Sequence, residues 1–150
     1  MGKEEMVGDK VRVISFNVRG LNDIKKRLLA REYLRTLKPD LVCMQEARIT
    51  HSEHHLLGDL GLHSVVSSRQ TCKTKGVAIL SQRGSNPKLR TITDNSGSWA
   101  IAQIQLENIY FTLCTIYGST IDESEVFDTF NNELDSWPVP IVVCGDLNCR

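Results

Sequence analysis

Four short apolar runs, each stopping on a polar residue, constrain this chain more than any other feature. Residues 11–16 stop at Asn17, residues 41–45 at Glu46, residues 109–116 at Tyr117, and residues 141–145 at Asp146. Runs this short, rich in Val, Ile and aromatics, read as strands buried on both faces rather than as helices. A chain built on them must layer its sheets against each other or under helices. Polar residues at strand ends then collect at a rim, where layered α/β folds open their sites.

The intervening sequence fits that plan. Gly20 and Asn22 break the first run, and Asn22 is placed to cap a helix over 23–37. Ile24, Leu28, Tyr33, Leu34 and Leu37 form its apolar stripe, with Lys25, Lys26, Arg27, Arg31 and Arg35 around it. Residues 50–62 read as a short helix or an irregular loop. Further strands are expected at 63–68, 77–81, 99–106 and 109–117, with Glu107-Asn108 as the hairpin turn between the last two. Residues 83–98, rich in Gly, Ser, Asn and Pro, are expected to be the most mobile segment. Thr120 and Glu123 make a capping box for a helix running to about 136, stopped by Pro138 and Pro140. Residues 1–9 read as a flexible leader, and 10–150 as one unit without repeats.

Composition excludes several classes. At 41% hydrophobic and 24% charged, the 150-residue chain is an ordinary globular one. Its 18 basic and 18 acidic residues cancel, so a nucleic-acid contact must be local rather than a general basic coat. No apolar stretch approaches the ~20 residues that cross a bilayer. The charged start, Met1-Gly-Lys-Glu-Glu-Met6, lacks the apolar core of a secretory signal, and Met6 breaks a myristoylation motif. Cysteines at 43, 72, 114, 144 and 149 include no Cys-x-x-Cys pair, which argues against a disulfide framework or zinc site. An intracellular protein, nuclear or cytoplasmic, is expected, with Cys43, Cys114 and Cys144 as small core side chains.

The strand-end residues suit one kind of chemistry. Phosphodiester hydrolysis needs a cation, an activated water and donors aimed at developing charge. Magnesium takes oxygen ligands and keeps several waters, so one or two carboxylates suffice. Glu46 follows an apolar strand, where a carboxylate is costly without a cation or donors; otherwise it is a surface acid at a strand end. Asp146 and Asn148, one residue apart, point the same way on an extended backbone. Asp146 would orient or deprotonate the attacking water and Asn148 would donate to a phosphoryl oxygen; alternatively the pair closes an Asx turn at Gly145. Asn17, Arg19 and Tyr117 read either as phosphate and transition-state contacts or as a turn amide, a surface arginine and a core tyrosine. His51, His54 and His55 have the spacing to hold a metal on a helix, but polar surroundings favour a solvated face.

Together Ser15-Phe-Asn-Val-Arg-Gly-Leu-Asn22, Gln45-Glu46, Gly76-Val-Ala-Ile-Leu80, Ile116-Tyr-Gly118 and Gly145-Asp-Leu-Asn148 resemble the endonuclease/exonuclease/phosphatase superfamily. That group includes apurinic endonucleases and pancreatic-type deoxyribonuclease. The first motif, the basic helix after it and Pro39-Asp-Leu-Val-Cys-Met-Gln-Glu46 most resemble the endonuclease domain of LINE-type retrotransposons, which accompanies a reverse transcriptase. The resemblance implies an α/β four-layer sandwich, two mainly antiparallel sheets flanked by helices, and magnesium-dependent cleavage of DNA, with manganese as an alternative ion. It makes Glu46 the metal ligand beside Asn17, gives Tyr117 the transition state, and gives Asp146 and Asn148 the nucleophile and phosphate.

Two departures stand out. Gly118-Ser119 follows the tyrosine where a proline is usual, and the closing Ser-Asp-His segment is absent, so residues 10–150 read as the N-terminal portion of a domain. Arg69, Lys73, Lys75, Arg83, Lys88 and Arg90, uninterrupted by acids, form a candidate track for a DNA backbone. Alternatives are a non-catalytic remnant that binds nucleic acid weakly, self-associating through uncovered sheet edges, and the same fold acting on a phospholipid or RNA phosphodiester.

Overall fold

The computed structural model of the protein describes residues 10–71, 73–118 and 124–147. Residues 1–9, Glu123, Thr120 and Asn148 lie outside them, so the leader, the capping box and the last motif residue are not described. Two four-stranded sheets stack face to face. The first, in the order β1-β2-β4-β3, contains β1 (Val13–Asn17), β2 (Leu41–Gln45), β3 (Leu62–Ser67) and β4 (Ala78–Gln82). The second runs β5-β6-β7-β8, from β5 (Lys88–Thr93), β6 (Trp99–Leu106), β7 (Ile109–Tyr117) and β8 (Ile141–Asp146). In each sheet one pairing is parallel, β1 with β2 and β7 with β8, and the rest are antiparallel.

The side-chain period of two divides each strand between two cores. Leu41, Cys43 and Ile79 meet Ala102, Ile104 and Leu113 between the sheets. Val42, Met44, Ala78 and Leu80 face outward, under helix α1 (Ile24–Leu37) and a 3-10 helix (His51–Leu60). Trp99, Ile101 and Ile116 pack under helix α2 (Ser124–Leu134) through Phe130. The result is the expected sandwich of two sheets between helical layers. Gln45 crosses the middle layer, its Nε2 donating to Thr115 Oγ1 at 3.0 Å and to Ser15 Oγ at 3.2 Å.

Several local expectations are corrected. Neither β1 nor β8 is buried on both faces: each ends its sheet among the described residues, and Val142 and Val143 are 40% and 49% exposed. Asp23, not Asn22, caps α1, accepting from Lys25 N at 2.9 Å, while Asn22 donates to Arg48 O. The buried face of α1 is Arg27, Ala30 and Leu34; Ile24, Leu28 and Tyr33 are exposed. Arg27, 5% exposed, fits because its guanidinium donates to Leu21 O and Asn22 O and pairs with Asp59 at 2.8 Å. The segment read as mobile contains β5, a charged edge strand paired with β6. The Glu107-Asn108 hairpin is present, with Glu107 in the left-handed region at φ 54°. Residues 51–60 form the 3-10 helix, opened by a capping box between Thr50 and Glu53. Cys43 and Cys114 are buried; Cys144 is half-buried and touches Cys43, a contact that draws its thiol down to about 7.

Candidate active site

Parallel pairing brings the strand ends to one rim. Asn17 stands in register beside Gln45, and Tyr117 beside Asp146. On β1, Asn17 shares the inward parity of Val13; on β8, Asp146 shares that of Cys144. Glu46 is different. Alternation along β2 would send it outward with Val42 and Met44, but its backbone lies in the left-handed region at φ 56° and turns the carboxylate to the inter-sheet rim. Such a backbone costs about 1 kcal/mol or more for a residue with a Cβ.

The segment is held there from both sides. Val18 N, Gly20 N and Leu21 N donate to Gln45 O, Glu46 O and Ala47 O, at 3.1, 2.7 and 2.9 Å. Ala47 N and Arg48 N donate to Gly76 O and Lys75 O, each at 2.9 Å. Gln70, buried behind this junction, donates from Nε2 to Ile49 O at 2.8 Å. A Cβ on Gly76, whose φ is +126°, would meet Gln70 Nε2 at 2.6 Å, so the closeness of this loop requires glycine.

Four of the expected residues therefore meet. Asn17 Nδ2 lies 2.7 Å from Asp146 Oδ2 and 3.3 Å from Glu46 Oε1, one amide bridging two carboxylates. Asn17 Oδ1 accepts from Arg19 N at 3.0 Å, which fixes the orientation of the amide. Glu46 is 8% exposed and its Oε2 pairs with the Arg48 guanidinium. Tyr117 is also 8% exposed; burial raises its phenol above the ordinary tyrosine value, reinforced by the charge of Glu46, a hydrogen bond to Glu46 and the charge of Asp146, against Arg48. Tyr117 N donates to Ser98 O at 2.7 Å, and Gly118 N to Asp146 O at 2.8 Å, so Tyr117 and Asp146 are set by the same backbone.

Arg48, missed in the sequence, supplies one positive charge beside the two carboxylates. Its signal was available: a cation two residues after the candidate acid. Glu46 and Asp146 offer hard carboxylate oxygens on either side of the Asn17 amide. Among the described residues no three His, Cys, Asp or Glu side chains form a metal-holding group. Two carboxylates suit an ion that takes few protein oxygens and keeps its waters.

The other expected residues spread out. The Arg19 side chain is exposed beside the rim. Lys73 pairs with Glu53 at 3.1 Å, and Lys75 Nζ donates to Ser98 Oγ at 3.3 Å. Arg83 donates to Gly58 O, and Arg90 lies 3.8 Å over the Trp137 ring, so these basic side chains already have partners inside the molecule. Arg69 lines a separate cleft with His51 and His54. Those two rings meet edge to face at 4.9 Å, and His54 Nδ1 is within 2.9 Å of Ser67 Oγ.

Comparison with solved structures shows the same fold. The mannosyl-6-phosphatase Bt3783 of Bacteroides thetaiotaomicron matches with a TM-score of 0.68 at 14% identity, over 93% of this chain and 66% of its own. The AP endonuclease LMAP of Leishmania major matches at 0.69 and 18%, over 92% and 55%. D. rerio TDP2, complexed with a single-strand DNA product, matches at 0.67 and 20%, over 95% and 62%. The chain spans about 55–66% of the length of these structures. Among the described residues no helix is long and apolar enough to cross a membrane. A family model covers residues 14–150, from the first strand through the Gly-Asp-Leu-Asn motif, and the chain belongs to the endonuclease/exonuclease/phosphatase family.

Proposed function

We propose that residues 10–150 form the N-terminal portion of a magnesium-dependent phosphodiesterase that nicks DNA, of the LINE retrotransposon type. The observation that carries this reading is the Asn17 amide between the Glu46 and Asp146 carboxylates, with the Tyr117 phenol at the same rim. Glu46 would hold the magnesium, or manganese in its place, with Asn17 beside it positioning that carboxylate through its Nδ2. When bound, the ion supplies positive charge for the phosphoryl oxygens.

The protein's own groups do the rest. Asp146, held by Asn17, aligns a water and accepts its proton as the water oxygen bonds to phosphorus and the ester P–O bond breaks. Tyr117 keeps its proton and donates a hydrogen bond to the charge that develops. Arg19 reaches a neighbouring phosphate, and Asn148 donates to a phosphoryl oxygen. Support for DNA and the LINE type comes from the motif 15–22 and the 39–46 segment, and from neighbours described as an AP endonuclease and as complexed with single-strand DNA. Cys43, Cys114 and Cys144, the free thiols among the described residues, are mostly buried, which supports an intracellular setting.

The test is nicking of supercoiled plasmid with magnesium, abolished by EDTA and by Glu46→Ala or Asp146→Ala. Plasmid left intact by folded, monomeric protein would instead support the second reading, a non-catalytic remnant. That reading is favoured by β1 and β8, each with one strand partner among the described residues, whose edges would promote self-association. A phosphatase neighbour keeps a non-DNA phosphate ester as a further alternative, to be compared in the same assay.

A further inference from the structure

We propose that the cleft between the 3-10 helix, the end of β3 and strand β5 is a second phosphate site, gripping the nucleic-acid backbone away from the scissile bond. This rests on the DNA reading above. The cleft measures about 640 Å³ and its lining includes His51, His54, Arg69, Thr91, Thr93 and Asn95, with no acidic residue lining it among the described residues. Every one of those six side chains offers a nitrogen or hydroxyl donor. A phosphate, which only accepts, matches such a lining, and a space of this size also admits the attached sugar.

Two details single the cleft out. Lys73, Lys75, Arg83 and Arg90 are engaged inside the molecule. Arg69 is exposed in the cleft and forms no ion pair among the described residues. Its planar fork is the side chain best suited to a phosphate. His54 is held by Ser67 at Nδ1, so its ring is already oriented, and burial, then His51, hold its pKa down, with Arg69 adding to the effect.

The cleft is also joined to the rim. Asn95 belongs to the loop whose Asp94 Oδ1 accepts from Ser98 N at 2.9 Å, and Ser98 O in turn holds Tyr117 N. His51 N donates to Gln70 O, linking the other wall to the residue behind the Glu46 loop. Phosphate contacts position a duplex without reading its sequence.

The experiment uses the full chain and two probes. Fluorescence anisotropy of a labelled DNA duplex, with calcium replacing magnesium, is measured across a salt series for the parent and Arg69→Ala. Hydrolysis of bis(4-nitrophenyl) phosphate, too small to span rim and cleft, is measured alongside. Arg69→Ala is expected to weaken DNA binding about tenfold and to lower the salt slope by about one phosphate, with the small-diester rate unchanged. Arg69→Lys should restore the slope. A parent that does not bind the duplex, or an Arg69→Ala protein with the parent's affinity and slope, overturns the cleft. Failure of the parent to cleave the small diester overturns the catalytic reading instead, and the binding arm still judges the cleft.

Discussion

Strands β2 and β8 are near twins in sequence and opposites in setting. Leu-Val-Cys-Met-Gln and Ile-Val-Val-Cys-Gly-Asp are both apolar runs that deliver a carboxylate at or just beyond their end. β2 lies between β1 and β4 and is covered by helices on one side and the second sheet on the other, so all five residues are buried. β8 pairs only with β7 among the described residues and leaves Val142 and Val143 in solvent. Composition thus specifies a strand, whereas its neighbours decide burial. Both strands still bring an acid to one amide, so the site requires parallel registry, not equal depth.

The sharpest challenge to that equality is catalytic. Glu46→Gln and Asp146→Asn should each lower plasmid nicking by about 10²–10³-fold, the loss typical of removing one group that acts on the transition state. A large loss at one strand end and none at the other would break the symmetry. Stability should show the contrast instead. Leu41→Ala is expected to cost about 2–5 kcal/mol in urea unfolding, whereas Val142→Ala, half in water, should cost about 0.5 kcal/mol. Similar costs would mean that something covers β8 in solution. Under the self-associating reading, Val143→Lys should lower the dimer fraction in sedimentation while leaving the melting temperature nearly unchanged.

The smallest effect lies away from both strands, at His54. Its folded pKa is depressed, so the unfolded chain takes up that proton first as pH falls. Stability linked to neutral His54 is present above the unfolded value of about 6.5 and is lost as pH falls below it and through the folded value. Melting temperature should therefore drop between pH 7 and pH 5 by a margin that His54→Gln reduces.

Much of this was legible because strands announce themselves locally. β6 and β7 begin and end where their apolar runs do, and the Glu107-Asn108 turn sits between them. Strand-end position together with the motif resemblance nominated Asn17, Glu46, Tyr117 and Asp146, which the fold brings together. What failed depended on partners distant in sequence. Arg27 reads as a solvated helix face until Asp59 and two carbonyls are known to meet it. β5, with Lys88 and Arg90, carries only a weak apolar signal in Leu89 and Ile92, because an edge strand needs little. The Glu46 turn was invisible for a related reason: alternation gives direction only while the backbone stays extended.

That turn has a consequence for how the protein could be altered. Arg19, Glu46 and Arg48 all occupy the left-handed region, at φ 52°, 56° and 56°, within one small neighbourhood. Asn or Gly would sit there more comfortably. Libraries screened for heat resistance alone should drift toward those replacements, gaining robustness as the carboxylate and its guanidinium partner vanish. Screening must therefore couple survival on heating to turnover, or it will enrich well-behaved proteins that have discarded their chemistry.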